Sequence, residues 1–158
     1  MIARAPVAVG LAFLTLTGAA WADAGIFVVD PASMPFDLGP GAPQNQASRR
    51  SNLPSAPGNS SAMPGNSSRT RANAPDNPLN APDGGRAIVL EGLVVGYYTQ
   101  NSGTLNLFSP AGTRLAYRPK GTKSLFTAQG AWCGTVAATS GGGFAFGMTE
   151  SCARRFLP

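Results

Sequence analysis

The chain predicts an all-β fold: a small antiparallel domain of repeated β-hairpins behind a disordered Pro-rich arm. Three observations carry this. Residues 86–158 hold short apolar runs, rich in β-branched and aromatic residues, separated by Gly-containing gaps. No stretch of a dozen residues there shows the apolar spacing of a helix. Residues 31–85 hold ten of the 14 prolines, with Ser, Asn, Gly and Ala filling most of the rest.

In chain order, residues 1–22 come first. Arg4 precedes an apolar stretch over 7–16, and Ala20-Trp21-Ala22 supplies a small-x-small exit. This is the pattern of a secretory signal peptide cut after Ala22. The apolar stretch is shorter than the ~20 residues a spanning helix needs. The expected location is therefore periplasmic or secreted, with no transmembrane span in the mature chain. A short β-prone run follows at 25–29. The arm at 23–85 carries four Arg and five Asp, and Phe36 is the only aromatic between 31 and 85. Such a composition buries too little apolar area to offset its ordering entropy, so the arm is expected to be disordered with polyproline-like pieces. Pro-Gly-Asn-Ser-Ser occurs at 57–61 and again at 64–68, placing Asn59 and Asn66 in the N-glycosylation acceptor pattern. In a Ser/Asn-rich segment that match is cheap.

From residue 86 the apolar runs fall at 88–90, 93–98, 105–108, 115–117, 125–126, 132–136 and 144–148. Glu150, after Thr149 as N-cap, opens a turn or two of helix. A motif recurs along these runs: Gly, two variable residues, an apolar residue, then a small one. It stands at Gly92-Leu93-Val94-Val95-Gly96, Gly112-Thr113-Arg114-Leu115-Ala116 and Gly130-Ala131-Trp132-Cys133-Gly134. A degenerate fourth copy begins at Gly143. The first Gly provides the positive φ of a tight turn, and the small residue admits a neighbouring backbone. Single hairpins are marginal, and several packed together share a core. The pattern over about 88–148 resembles the four-fold β-flower type of small domain. That resemblance implies strand–turn–Gly units around a pseudo-fourfold axis and carries no activity with it. A plain small barrel made from the same hairpins is the rival architecture.

A 73-residue domain has a small core. Cys133 and Cys152 form an even pair in an exported chain, so a disulfide is expected, contributing on the order of 3 kcal/mol.

Composition removes most catalytic equipment. The chain has no His, which excludes Ser-His and Cys-His pairs and His-ligated zinc; two Cys exclude an all-Cys zinc site. No metal and no cofactor is expected. Glu91 and Glu150 are the only carboxylates in 86–158. Paired across a sugar they would suit glycan hydrolysis; separately they read as a turn residue and a helix-start residue. Seven cations against those two acids make the folded part basic. Arg114, Arg118, Lys120 and Lys123 lie within ten residues and are expected to form a basic tip, with Arg114 and Arg118 on one strand face. Such a tip suits an anionic envelope component or an acidic protein. Export argues against nucleic acid. Strand edges also allow self-association, including pairing with 25–29 of a neighbour. The expected function is a non-enzymatic binding or structural module of the cell envelope.

Overall fold

A computed structural model of the protein describes residues 24–158. The signal-peptide reading of 1–22 lies outside the described residues. Eight strands form one closed barrel in sequence order. They are β1 (Ala24–Val28), β2 (Ala87–Leu90), β3 (Leu93–Asn101), β4 (Thr104–Phe108), β5 (Arg114–Arg118), β6 (Ser124–Thr127), β7 (Trp132–Ala138) and β8 (Phe144–Met148). Strands β2 to β8 run as an antiparallel meander. Seven alternating strands leave the first and last pointing the same way. β1 fills the gap between them, parallel to both. Closure removes the free edges that would otherwise template pairing with other chains. The strand expected near 25–29, a candidate for pairing with a neighbour, is therefore used inside its own barrel.

The repeated motif has a structural meaning. Gly92, Gly112 and Gly130 all have positive φ, and the ladder shifts register just after each. The apolar residue of each copy (Val95, Leu115, Cys133) is the bulged one, and each belongs to or packs against the core. A bulge of this kind bends the strand and turns an extra side chain inward. The small residue follows because a neighbouring strand comes close: a Cβ at Gly96 would lie 2.1 Å from the Phe108 carbonyl oxygen, and one at Gly134 would lie 2.0 Å from that of Gly147. The fourth copy differs. The β7–β8 ladder has no register shift, and its turn lies at the opposite end of the barrel from the other three.

Leu105, Leu107, Leu125, Phe146 and Met148 fill the interior. Cys133 and Cys152 are bridged, which ties β7 to helix α1 (Glu150–Ala153). Thr149 caps that helix, its Oγ1 accepting from the Cys152 amide.

The arm departs from expectation. Residues 31–85 are not a disordered linker here but a stack of regular coils. Six buried asparagines stand seven residues apart: Asn45, Asn52, Asn59, Asn66, Asn73 and Asn80, each 1–4% exposed. Each closes one coil of seven residues, made of two successive turns. In the coil 46–52, Arg49 N donates to Gln46 O and Asn52 N to Arg49 O. The Asn52 side chain then donates both amide hydrogens, to Gln46 O of its own coil and Gln44 O of the preceding one, each at 3.0 Å. The other five asparagines repeat this clamp at the same offsets. The prolines suit this geometry. Pro40, Pro43, Pro54, Pro57, Pro64, Pro75, Pro78 and Pro82 all occupy the second residue of a turn, where a fixed φ is favourable and no amide hydrogen is needed. The residues before Pro40, Pro43, Pro54, Pro64, Pro75, Pro78 and Pro82 are extended, as a following proline requires. The stack begins where Leu38 takes the asparagine's place and has no amide with which to clamp an earlier coil. At its other end Arg86 Nη1 donates to Ala72 O and to Asn80 Oδ1.

Candidate functional site

The coil stack crosses the outside of β5, β4 and β3, and the barrel reads it coil by coil. The Tyr117 hydroxyl donates to Asn52 O at 2.7 Å, Arg114 Nη1 to Asn59 O at 2.7 Å, Asn106 Nδ2 to Asn66 Oδ1 at 3.0 Å, and the Tyr97 hydroxyl to Asn73 O at 2.7 Å. Thr104 adds a bond to Gly58 O. These donors are on the outer face, where Tyr97 stacks on Phe108 and Tyr117 lies beside Phe126. All four rings are at most 1% exposed, because the arm covers them. Burying rings of this size stabilises the fold by about 1.5–3 kcal/mol each. Burial also pushes the Tyr97 and Tyr117 phenols up to about 12, Asp76 adding to the effect at Tyr97 and Arg114 opposing it at Tyr117.

The expected basic tip is divided by this packing. The bulge at Leu115 puts Arg114 on the outer face beneath the arm, while Arg118 turns inward on the face of Ala116. Arg114 and Arg118 therefore do not share a face. Arg114 Nε donates to Asn106 Oδ1 at 2.8 Å, and its guanidinium lies 4.8 Å over the Tyr117 ring. Burial lowers its pKa to about 10. Arg118 sits over the Phe144 ring, with burial lowering its pKa. Both are half-buried parts of the architecture. Arg154 and Arg155 do not reinforce the tip: Arg154 pairs with Glu150 and Arg155 bonds to Gln129, at the other end of the barrel.

Lys120 and Lys123 remain exposed on the β5–β6 turn. The first full coils of the arm face them across a polar recess of about 310 Å³, whose wall includes Arg49, Asp37, Gln44 and Ser51. Arg49 was not foreseen as a partner of these lysines. It belongs to the arm, and only the seven-residue spacing of asparagines could have revealed that the arm folds back. The recess adjoins a second one of about 330 Å³, lined by Asn101, Ser102, Thr104 and Met63, and the two share Ser51 and Lys120.

Glu91 and Glu150 line one depression of about 540 Å³ at the opposite end, with Val28, Leu90 and Leu157. Glu91 holds φ +50 in a tight turn with Gly92. The Glu150 carboxylate is engaged by Arg154 one helical turn later. Tyr97 and Tyr98 are buried and offer no open ring face for a sugar to stack on. Asn59 and Asn66 spend both amide hydrogens within the coils, which leaves no room for a glycan on either nitrogen in the folded arm.

Among the described residues no helix is long and apolar enough to cross a membrane, and no group of three or more His, Cys, Asp or Glu is placed to hold a metal ion. The disulfide is compatible with an extracellular or periplasmic location. No family model, curated protein or solved structure matches the chain.

Proposed function

We propose that this protein is an exported, non-enzymatic binding module of the cell envelope whose basic end engages anionic material. The observation that carries the reading is the recess between arm and barrel, where Arg49, Lys120 and Lys123 surround a polar cavity. Arg114 and Arg118 are taken up by packing, so these three cations are the ones free to meet a partner there. The long-range part of such binding is screened beyond a Debye length of about 10 Å at 0.1 M salt. The triple variant Arg49→Ala, Lys120→Ala, Lys123→Ala is expected to lose most retention on anionic envelope fractions at low salt while keeping the parent's thermal midpoint. Unchanged retention, or retention that ignores salt, contradicts the reading.

A second reading, a small glycan hydrolase using Glu91 and Glu150, draws on the depression that both carboxylates line. Against it, Glu150 is ion-paired and the turn geometry accounts for Glu91. Glu91→Gln and Glu150→Gln made separately should each abolish a measured hydrolysis if this reading holds; activity surviving both substitutions ends it.

A further inference from the structure

We infer that the partner of the basic end is a linear acidic glycan lying in the seam between arm and barrel, an inference that rests on the anionic-partner reading above. The two recesses share Ser51 and Lys120 in their walls and so neighbour each other along the seam. Each lobe is at the low end of the roughly 300–1,000 Å³ typical of ligand pockets, which suits one unit of a chain per lobe. The groove is bounded on one side by arm coils and on the other by the β3–β4 and β5–β6 turns.

The chemistry of the walls separates the possible anions. Arg49, Lys120 and Lys123 favour carboxylates or other acidic groups on the ligand. Between them stand neutral hydrogen-bonding side chains, Gln44 and Thr122 in one lobe and Asn101 and Ser102 in the other. Asp37 adds a carboxylate to the first lobe. A carboxylate among cations weakens attraction to a bare anion but accepts hydrogen bonds from ligand hydroxyls. A polymer carrying both acid groups and hydroxyls satisfies every one of these groups. A lipid surface satisfies only the cations, and being flat it cannot follow a groove.

The test fills the groove without changing its charge. Ser51 is exposed and lines both lobes, and Met63 is exposed in the second. Ser51→Trp and, as a second variant, Met63→Trp are compared with the parent for binding to oligogalacturonate hexamers by fluorescence anisotropy. Vesicles of phosphatidylcholine with 30% phosphatidylglycerol are the planar anionic control, and maltohexaose is the neutral one. The expected result is hexamer binding by the parent, a loss of at least tenfold in each folded Trp variant, no change in vesicle retention between variants, and no binding of maltohexaose. Vesicle retention without hexamer binding, or hexamer binding that both Trp variants keep, overturns the groove and leaves the broader reading standing. Failure of the parent to bind any anionic probe overturns both.

Discussion

The barrel and the arm reach order by opposite routes. The barrel is held by an apolar interior, a complete ladder of strands and a disulfide. The arm has almost no apolar core of its own. It is held by six copies of one polar device, an asparagine whose amide clamps two carbonyls in adjacent coils. The difference teaches how a Pro-, Ser- and Asn-rich segment can fold. Its prolines fix turns, its asparagines satisfy the backbone those turns would leave bare, and the barrel supplies the hydrophobic surface that the arm lacks. The cost is sensitivity. An apolar core tolerates volume-conserving exchange, whereas a clamp such as Asn52 that loses its amide leaves the carbonyl of the preceding coil, Gln44 O, without its donor, at about 1–3 kcal/mol for a buried group.

The largest effect expected from this contrast concerns reading frame. Deleting residues 60–66 removes one whole coil, and Asn73 can then clamp Ser67 O and Gly58 O. Deleting only 60–63 breaks the ladder between Asn59 and Asn66. The four-residue deletion should destabilise the protein by at least ~3 kcal/mol more than the seven-residue one in urea unfolding, since three or more buried polar groups lose partners. Equal effects would dissolve the contrast.

Next in size is Asn66→Ala. It takes one donor from Gly58 O and from Ser60 O, which keep Thr104 Oγ1 and Met63 N, and leaves Asn106 Nδ2 without its acceptor; a loss of about 1–3 kcal/mol is expected. A surface change such as Ser61→Ala, one turn away and exposed, should stay within about 0.5 kcal/mol.

The seam between the two regions has a pH signature. Tyr97 and Tyr117 have pKa values of about 12 in the folded protein against 10 when free. The folded state therefore holds its phenolic protons longer than the unfolded chain. Their contribution is complete below pH 10 and is lost as pH rises toward 12. Arg114, lowered to about 10, acts with the opposite sign between about pH 10 and 12.5 and offsets part of the loss. Phenolate absorbance of the native protein should thus appear well above pH 10. The double variant Tyr97→Phe, Tyr117→Phe should unfold with a flatter dependence on pH over that window.

The smallest effect sharpens the barrel side. Glu91 adopts a positive φ that glycine and asparagine accept more readily. Glu91→Asn should raise stability by about 0.5–1 kcal/mol in thermal or urea melts, whereas a residue kept for other reasons would show no gain.

Much of the barrel was legible in the sequence. The alternating apolar runs, the turn glycines and the small residues at 96, 116 and 134 mark hairpins with bulges, because a tight turn and a close backbone contact each restrict residue type locally. The Cys133–Cys152 bridge was legible in an even cysteine count read together with the signal-peptide pattern expected at 1–22. The insertion of β1 was less legible, since the five residues 24–28 carry no mark of their partners about 60 and 120 residues away. The arm misled for a physical reason. Composition reports how much apolar area a segment can bury, and by that measure 31–85 should not fold. Its order depends on periodicity instead, the seven-residue spacing from Asn45 to Asn80, which surfaces as an identical string only in the doubled Pro-Gly-Asn-Ser-Ser at 57–61 and 64–68. The candidate site divided in the same way. Lys120 and Lys123 were readable as a charged turn, but strand alternation placed Arg114 wrongly because the bulge at Leu115 reverses the face. Arg49 joins the site only through the folding of the arm.

The most direct measurement is amide hydrogen exchange along residues 39–85, resolved by NMR. A folded coil stack predicts protected backbone amides in every seven residues at the fourth and seventh positions, Arg49 and Asn52, Ala56 and Asn59, Met63 and Asn66, Thr70 and Asn73, with Ser60, Ser67 and Ala74 adding a first-position amide in their coils. Their protection should approach that of β3 to β5. Uniformly rapid exchange across the segment, with the barrel amides still protected, would contradict the account.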